Sequence, residues 1–243
     1  MNAAVAVAVL APGLALGSFL NVAALRLPTG RSTCLHCGHA IRVRDNVPLL
    51  SYLLLRGRCR DCDTRIGLRY PLTEALTAAL AGACVLAFGV SLHALAATVF
   101  CAALVAISAA DLEKRIVPNR IVLPATAVVL VLQEARAPSI EWPAAGLAAS
   151  GFLLAAALLH PRGMGMGDVK LMLLIGVAVG PAVPIALLTA LLLGLVPAVV
   201  LALRHGMQAR KLAIPFAPFL AAGGLVALFA GHALLRWYLH LGG

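Results

Sequence analysis

The sequence predicts an all-α integral membrane protein, a polytopic bundle of about eight transmembrane helices. Three observations carry that expectation. The 243 residues are 62% hydrophobic and only 12% charged, with a mean hydropathy of +1.00, and water does not solvate a folded surface of that composition. The apolar residues fall in stretches near the ~20 residues that a helix needs to cross the hydrocarbon core. The basic residues, finally, are sorted between alternate connections.

Along the chain the apolar stretches lie at about 3–25, 72–90, 92–110, 121–133, 144–160, 169–180, 182–203 and 214–240. The first has no basic residue before it and its Arg follow it, the reverse of a secretory signal peptide, so it is expected to stay as an anchor. Nine Arg lie between Arg26 and Arg69, in the one long polar segment. Lys114, Arg115 and Arg120 follow the third stretch, Arg162 and Lys170 flank the fifth and sixth, and Arg204, Arg210 and Lys211 follow the seventh. With eight spans these seventeen cations share one side and only Arg136 and Arg236 lie on the other. By the positive-inside rule the crowded side is cytoplasmic and both termini are outside. The net charge of +10 is therefore a signature of topology and implies no nucleic-acid partner.

Four of the six Cys form Cys34-x-x-Cys37 and Cys59-x-x-Cys62, separated by 21 residues within the polar segment. Two such knuckles suit a tetrahedral four-thiolate zinc site, since thiolates two residues apart on a tight turn share one metal. Cytoplasmic placement disfavours disulfides. A segment of about 45 residues has little apolar material for a core, so the zinc is expected to be structural, supplying folding free energy that packing does not. Cys84 and Cys101 lie inside apolar stretches and read as small core residues.

Only nine acidic residues are present, and two sit where an apolar stretch meets a short connection. Asp111 ends the third in Ala109-Ala110-Asp111-Leu112, and Asp168 opens the sixth in Gly163-Met164-Gly165-Met166-Gly167-Asp168. Ionisable groups at membrane depth are costly and mark functional sites. The bland alternative is a helix end for Asp111 and a cap for Asp168. Gly163, Gly165 and Gly167 weigh against it, because alternate glycines leave a segment against which an extended peptide backbone can lie. The topology puts both carboxylates on the cytoplasmic side at similar depth. A pair sharing a proton hydrolyses a peptide bond when the ionised member takes a proton from water and the neutral member hydrogen-bonds the scissile carbonyl. The sequence contains no G-x-S-x-G elbow and no H-E-x-x-H helix.

Further segments join these in one order: Gly17-Ser18-Phe19-Leu20-Asn21-Val22 to Arg26-Leu27-Pro28, Asp45 to Tyr52 between the knuckles, Arg56 to Arg60, Arg69 to Glu74, and Ile214-Pro215-Phe216-Ala217-Pro218-Phe219. Together with the GxGD segment, they make a sequence that resembles the type IV prepilin peptidases, or prepilin leader peptidase/N-methyltransferases, which are GxGD-type membrane aspartic proteases. The resemblance implies cleavage of the short basic leader of type IV prepilins or type II secretion pseudopilins after a glycine, with Asp111 and Asp168 at the positions of the catalytic pair. It also implies N-methylation of the new N-terminal residue from S-adenosylmethionine, an activity associated with the four-cysteine loop. The implied division is a first transmembrane helix over 1–25, the loop over 26–71 and a membrane aspartic peptidase domain over 72–243. The expected location is the bacterial inner membrane, with the site facing the cytoplasm.

The chain departs from the family pattern at Asn119, where many relatives have Asp, and at Ala217, where glycine is frequent. Glu74 reads as a first-turn helix residue and Lys170 as a snorkelling cation. A basic leader meets a basic loop, which favours docking only if Asp45, Asp61 and Asp63 form an acidic patch. The competing class is a small transporter or scaffold with a zinc-bearing loop, but transporters place charges near the bilayer midplane between broken helices.

Overall fold

The computed structural model describes residues 2–25, 33–34, 36–42, 45, 47–159, 165–206 and 214–241. Its elements are helices: α1 (Asn2–Leu25), the short α2 (Leu50–Leu54), α3 (Arg69–Phe88), α4 (Leu92–Lys114), α5 (Asn119–Arg136), α6 (Glu141–Leu159), α7 (Met166–Val179), α8 (Val183–His205) and α9 (Ala217–Leu241). The long helices coincide with the eight apolar stretches. Among the described residues, five stretches are long and apolar enough by themselves to cross a membrane: Arg69–Phe88, Leu92–Lys114, Glu141–Leu159, Met166–His205 and Ala217–Tyr238. The fourth of these runs through α7 and α8, which a 3-10 turn at Gly180–Ala182 separates, with Gly180 at φ 56° supplying the bend.

The centre of the bundle is α4. Of its most apolar window 61% is buried, against 11% for the most apolar window of Met166–His205, where α7 is largely buried and α8 largely faces outward. Phe100, Leu104 and Ile107 of α4 pack with Leu171, Leu174 and Ile175 of α7, Val122 and Val129 of α5 and Leu220 of α9. Lipid gives no hydrophobic reward for bringing helices together, so close backbone approach through small residues takes its place. On α1, a Cβ at Gly13 would lie 2.9 Å from Ala78 Cα, and one at Gly17 would lie 3.0 Å from Glu74 Cα. That small-x-x-x-small pair seats α1 on α3.

Between α1 and α3 the chain builds two matching knuckles. Cys34 N–H donates to His39 O (2.9 Å) and Gly38 N–H to Cys34 O (3.0 Å), while Cys59 N–H donates to Thr64 O (2.9 Å) and Asp63 N–H to Cys59 O (3.0 Å). Antiparallel bridges close both turns, Thr33 with Ala40 and Arg58 with Arg65. Each turn demands a left-handed residue just after its second Cys, met by Gly38 (φ 72°) and Asp63 (φ 56°).

Candidate active site

Asp111 lies in the last turn of α4 and is 7% exposed. The turn closes at Arg115, whose left-handed backbone (φ 53°) directs its N–H to Asp111 O, and Ile116 to Pro118 lead into α5. A helix leaves its first N–H groups without intrahelical partners, and at the start of α9 one of them is put to use. Ala217 N–H donates to Asp111 Oδ2 at 3.1 Å, while Phe219 and Leu220 N–H turn back to Phe216 O. The sequence marks Ala217 only as a departure from a frequent glycine, which does not announce this contact. The signal was there in Ala217-Pro218, a helix start in which the second residue has no N–H.

Asp168 lies in the first turn of α7, partly buried, with its N–H on Gly165 O at 3.1 Å. The start of α7 packs on Val117, in the connection that follows Asp111, so the fold brings the two aspartates to the same edge of the bundle, the edge that carries the cysteine loop. Three contacts hold that geometry. A Cβ on Gly167 would lie 2.8 Å from Val117 Cβ, so α7 starts directly against the Asp111 connection. Lys170 Nζ donates to Asn119 Oδ1 at 2.9 Å, a bridge rather than a free snorkelling cation. Ser150 Oγ donates to Val169 O at 3.0 Å, fixing α7 to α6. The alternate glycines therefore differ in setting. Gly165 is extended and exposed, with a Cβ there meeting nothing nearer than Asp168 Oδ2 at 3.6 Å. Gly167 is already helical and filled by Val117, and Gly163 lies outside the described residues.

The four thiols of the loop converge. The Sγ atoms of Cys34, Cys37, Cys59 and Cys62 all lie within 4.8 Å of one another, with Cys34 Sγ and Cys62 Sγ at 3.7 Å. Four thiolates at about 2.3 Å from a tetrahedral zinc are about 3.8 Å apart, so the cluster fits one such ion. The turn amides of Cys37 and His36 pull the Cys34 thiol down to about 6. Cys37 is pushed up to about 12: the His39 amide lowers it, but desolvation and the neighbouring sulfurs outweigh that. Crowded sulfurs thus share their protons unequally. His36 and His39 lie beside the cluster and line a neighbouring cavity of about 370 Å³, with Asp45, Arg60, Ile66 and Tyr70 among its other walls.

The loop's carboxylates do not form a free acidic patch. Asp45 takes a bidentate grip from Arg60 at 2.7 and 2.8 Å, Asp63 pairs with Arg58 at 2.7 Å and Asp61 lies 3.9 Å from Arg42. Glu74, read as a first-turn residue, is 9% exposed and accepts the Leu49 N–H at 2.9 Å. Arg69 pairs with Glu113 at 3.6 Å, tying the foot of α3 to the end of α4 two residues from Asp111.

Residues 98–199, which hold both aspartates, match the model of the type IV leader peptidase family. Residues 12–88, which hold all four loop cysteines, match the bacterial peptidase A24 N-terminal domain. A prepilin leader peptidase/N-methyltransferase of Burkholderia pseudomallei (strain 1026b) is 39% identical over 271 residues, spanning 95% of this chain and 86% of the relative. The chain belongs to the type IV leader peptidase family. Relatives of the same name are 35% identical in Aeromonas hydrophila, over 93% of this chain and 91% of theirs, and 34% identical in Bacillus subtilis (strain 168), over 94% and 96%. No solved structure matches the chain. Membership of the leader peptidase family and the apolar helices together make this a multi-pass membrane protein.

Proposed function

We propose that this protein removes the short basic leader of a type IV prepilin or type II secretion pseudopilin, cutting after a glycine at the cytoplasmic face of the inner membrane. Asp111 and Asp168 are the catalytic pair. The observation that carries this reading is their convergence from α4 and α7 at the edge of the bundle, where Gly167 packs on Val117 and Lys170 bonds Asn119. One carboxylate takes a proton from the attacking water while the other, protonated, donates to the scissile carbonyl. Ala217 N–H holds the Asp111 oxygen it touches, leaving the other oxygen for the water or the substrate. Exposed Gly165 offers backbone against which the extended cleavage segment lies.

The second activity is N-methylation of the new N-terminal residue. The four thiolates hold a structural zinc that folds the loop over 26–71, and 72–243 form the peptidase domain. S-adenosylmethionine supplies a methyl carbon on a cationic sulfur. The cavity beside the knuckles has the size, the paired charges and the Tyr70 ring suited to its zwitterionic end and its purine. Tyr70 adjoins Arg69, which is paired with Glu113, so the cavity lies near the aspartate site where the new amine appears.

The test is incubation of membranes containing this protein with a prepilin, followed by mass spectrometry of the product. Leader loss together with a gain of one methyl is expected. An intact prepilin under conditions that support a known leader peptidase would overturn the peptidase reading.

A further inference from the structure

The short helix α2 has a side that the two activities do not use. Leu50, Leu53 and Leu54 are 53%, 71% and 72% exposed. Positions i, i+3 and i+4 share one helix face, so α2 presents a continuous leucine face outward. The opposite side belongs to the loop: Tyr52 Oη donates to Ile66 O at 3.4 Å and Ser51 Oγ to Val47 O at 2.6 Å. A loop surrounded by water has no reason to turn its leucines out and its tyrosine in.

The depth of α2 follows from one hydrogen bond. Leu49, the residue before α2, has a left-handed backbone (φ 56°), a costly state for leucine, and its N–H is held by Glu74 Oε2. Glu74 is the sixth residue of α3. The apolar stretch of α3 begins at Leu72, so at 1.5 Å per residue Glu74 lies about 3 Å inside it. The start of α2 is thus at the level where acyl chains meet headgroups. Leu68, Leu72 and Leu76 at the start of α3 are 66%, 62% and 50% exposed, so α3 is apolar and outward-facing at that same level, on the side away from Glu74. Exposed Arg56 follows α2 directly and exposed Arg65 lies on the second knuckle. Neither has a carboxylate partner among the described residues.

We infer that α2 is an interfacial helix that docks the cysteine loop onto the bilayer, with its leucine face among the acyl chains and Arg56 and Arg65 on anionic phospholipid headgroups. The depth set by the Glu74 tether and the complementary charge of Arg56 and Arg65 select a lipid leaflet as the occupant. Docking fixes the height of the loop relative to Asp111 and Asp168. Headgroup phosphates also neutralise part of the loop's positive charge, which lets a basic leader approach.

The test uses the full-length protein in nanodiscs of phosphatidylglycerol with brominated acyl chains, which quench tryptophan on contact. Leu53→Trp and Arg58→Trp are compared. The native Trp142 and Trp237 contribute equally to both, and metal content checks that the loop is folded. Quenching of the introduced Trp at least twofold greater in Leu53→Trp than in Arg58→Trp is expected, with the reverse order for aqueous iodide. Equal quenching, or iodide access to position 53, overturns the proposal. Leu54→Trp serves in the same comparison if Leu53→Trp loses its metal. Repeating the measurement in brominated phosphatidylcholine is expected to reduce the difference, and no change overturns the assignment to anionic lipid.

Discussion

Between Thr33 and Leu68 the one buried residue among those described is Gly57, whereas α4 buries thirteen of its twenty-three residues. The two regions hold their functional groups by opposite means. In the bundle, Asp111 and Asp168 ride on helices whose backbone bonds are satisfied internally, as lipid requires, and whose positions are over-determined by packing. In the loop, four thiols are brought together by two turns and a few ion pairs, with no core beneath them. The bundle's geometry should survive loss of a bound group, and the loop's should not. That difference makes the two proposed activities separable in principle.

The largest effect is expected at the aspartates. Asp111→Asn and Asp168→Asn keep the side-chain size and remove the ionisable group. Each should lower leader cleavage by at least about 100-fold, the lower end of what a general acid or base contributes, while membrane insertion is unchanged. Cleavage by either variant within a few-fold of the parent in the same prepilin assay would show that hydrolysis does not depend on the pair.

Next in size is the metal. Cys59→Ser with Cys62→Ser removes half of the ligand set, and structural zinc contributes folding free energy on the order of 10 kcal/mol in small zinc-dependent units. The loop should lose its metal and become sensitive to protease. Methylated product should fall relative to unmethylated cleaved product at matched protein levels. A constant ratio, with both activities falling together, would make the loop a docking or stability element for the whole enzyme.

A smaller effect is expected where α7 meets the Asp111 connection. Gly167→Ala places a Cβ 2.8 Å from Val117 Cβ, overpacking that costs about 1–3 kcal/mol. Cleavage is expected to fall and to recover in the double variant Gly167→Ala, Val117→Ala. Absence of recovery in the prepilin assay would mean that Gly167 acts through something other than this contact. The smallest expected change is at the seam between the regions. Glu74→Met leaves the Leu49 N–H without its acceptor, a loss of about 1–3 kcal/mol. It should speed proteolysis near α2 and lower methylation a few-fold with cleavage nearly unchanged, and equal proteolysis of parent and variant would show that the tether does not hold the loop.

What the sequence determined by itself was whatever depends on local pattern and composition. Hydropathy chose the solvent and located the long helices, because a helix in lipid must be apolar over its whole length. Cysteine spacing announced the cluster, because two residues between ligands fit one tight turn. The scarcity of acids made Asp111 and Asp168 stand out. Only the tertiary structure decided which distant groups meet. Ala217 N–H finds Asp111 106 residues away, Glu74 becomes buried under Leu49 25 residues before it, and Val117 fills the space left by Gly167. Lys170 reaches Asn119, and the loop's acids are taken by its own arginines. Each is a polar or steric match between segments that share no periodicity. Packing of α4 against α7 and α9 selects those partners, and no local pattern in the sequence encodes it.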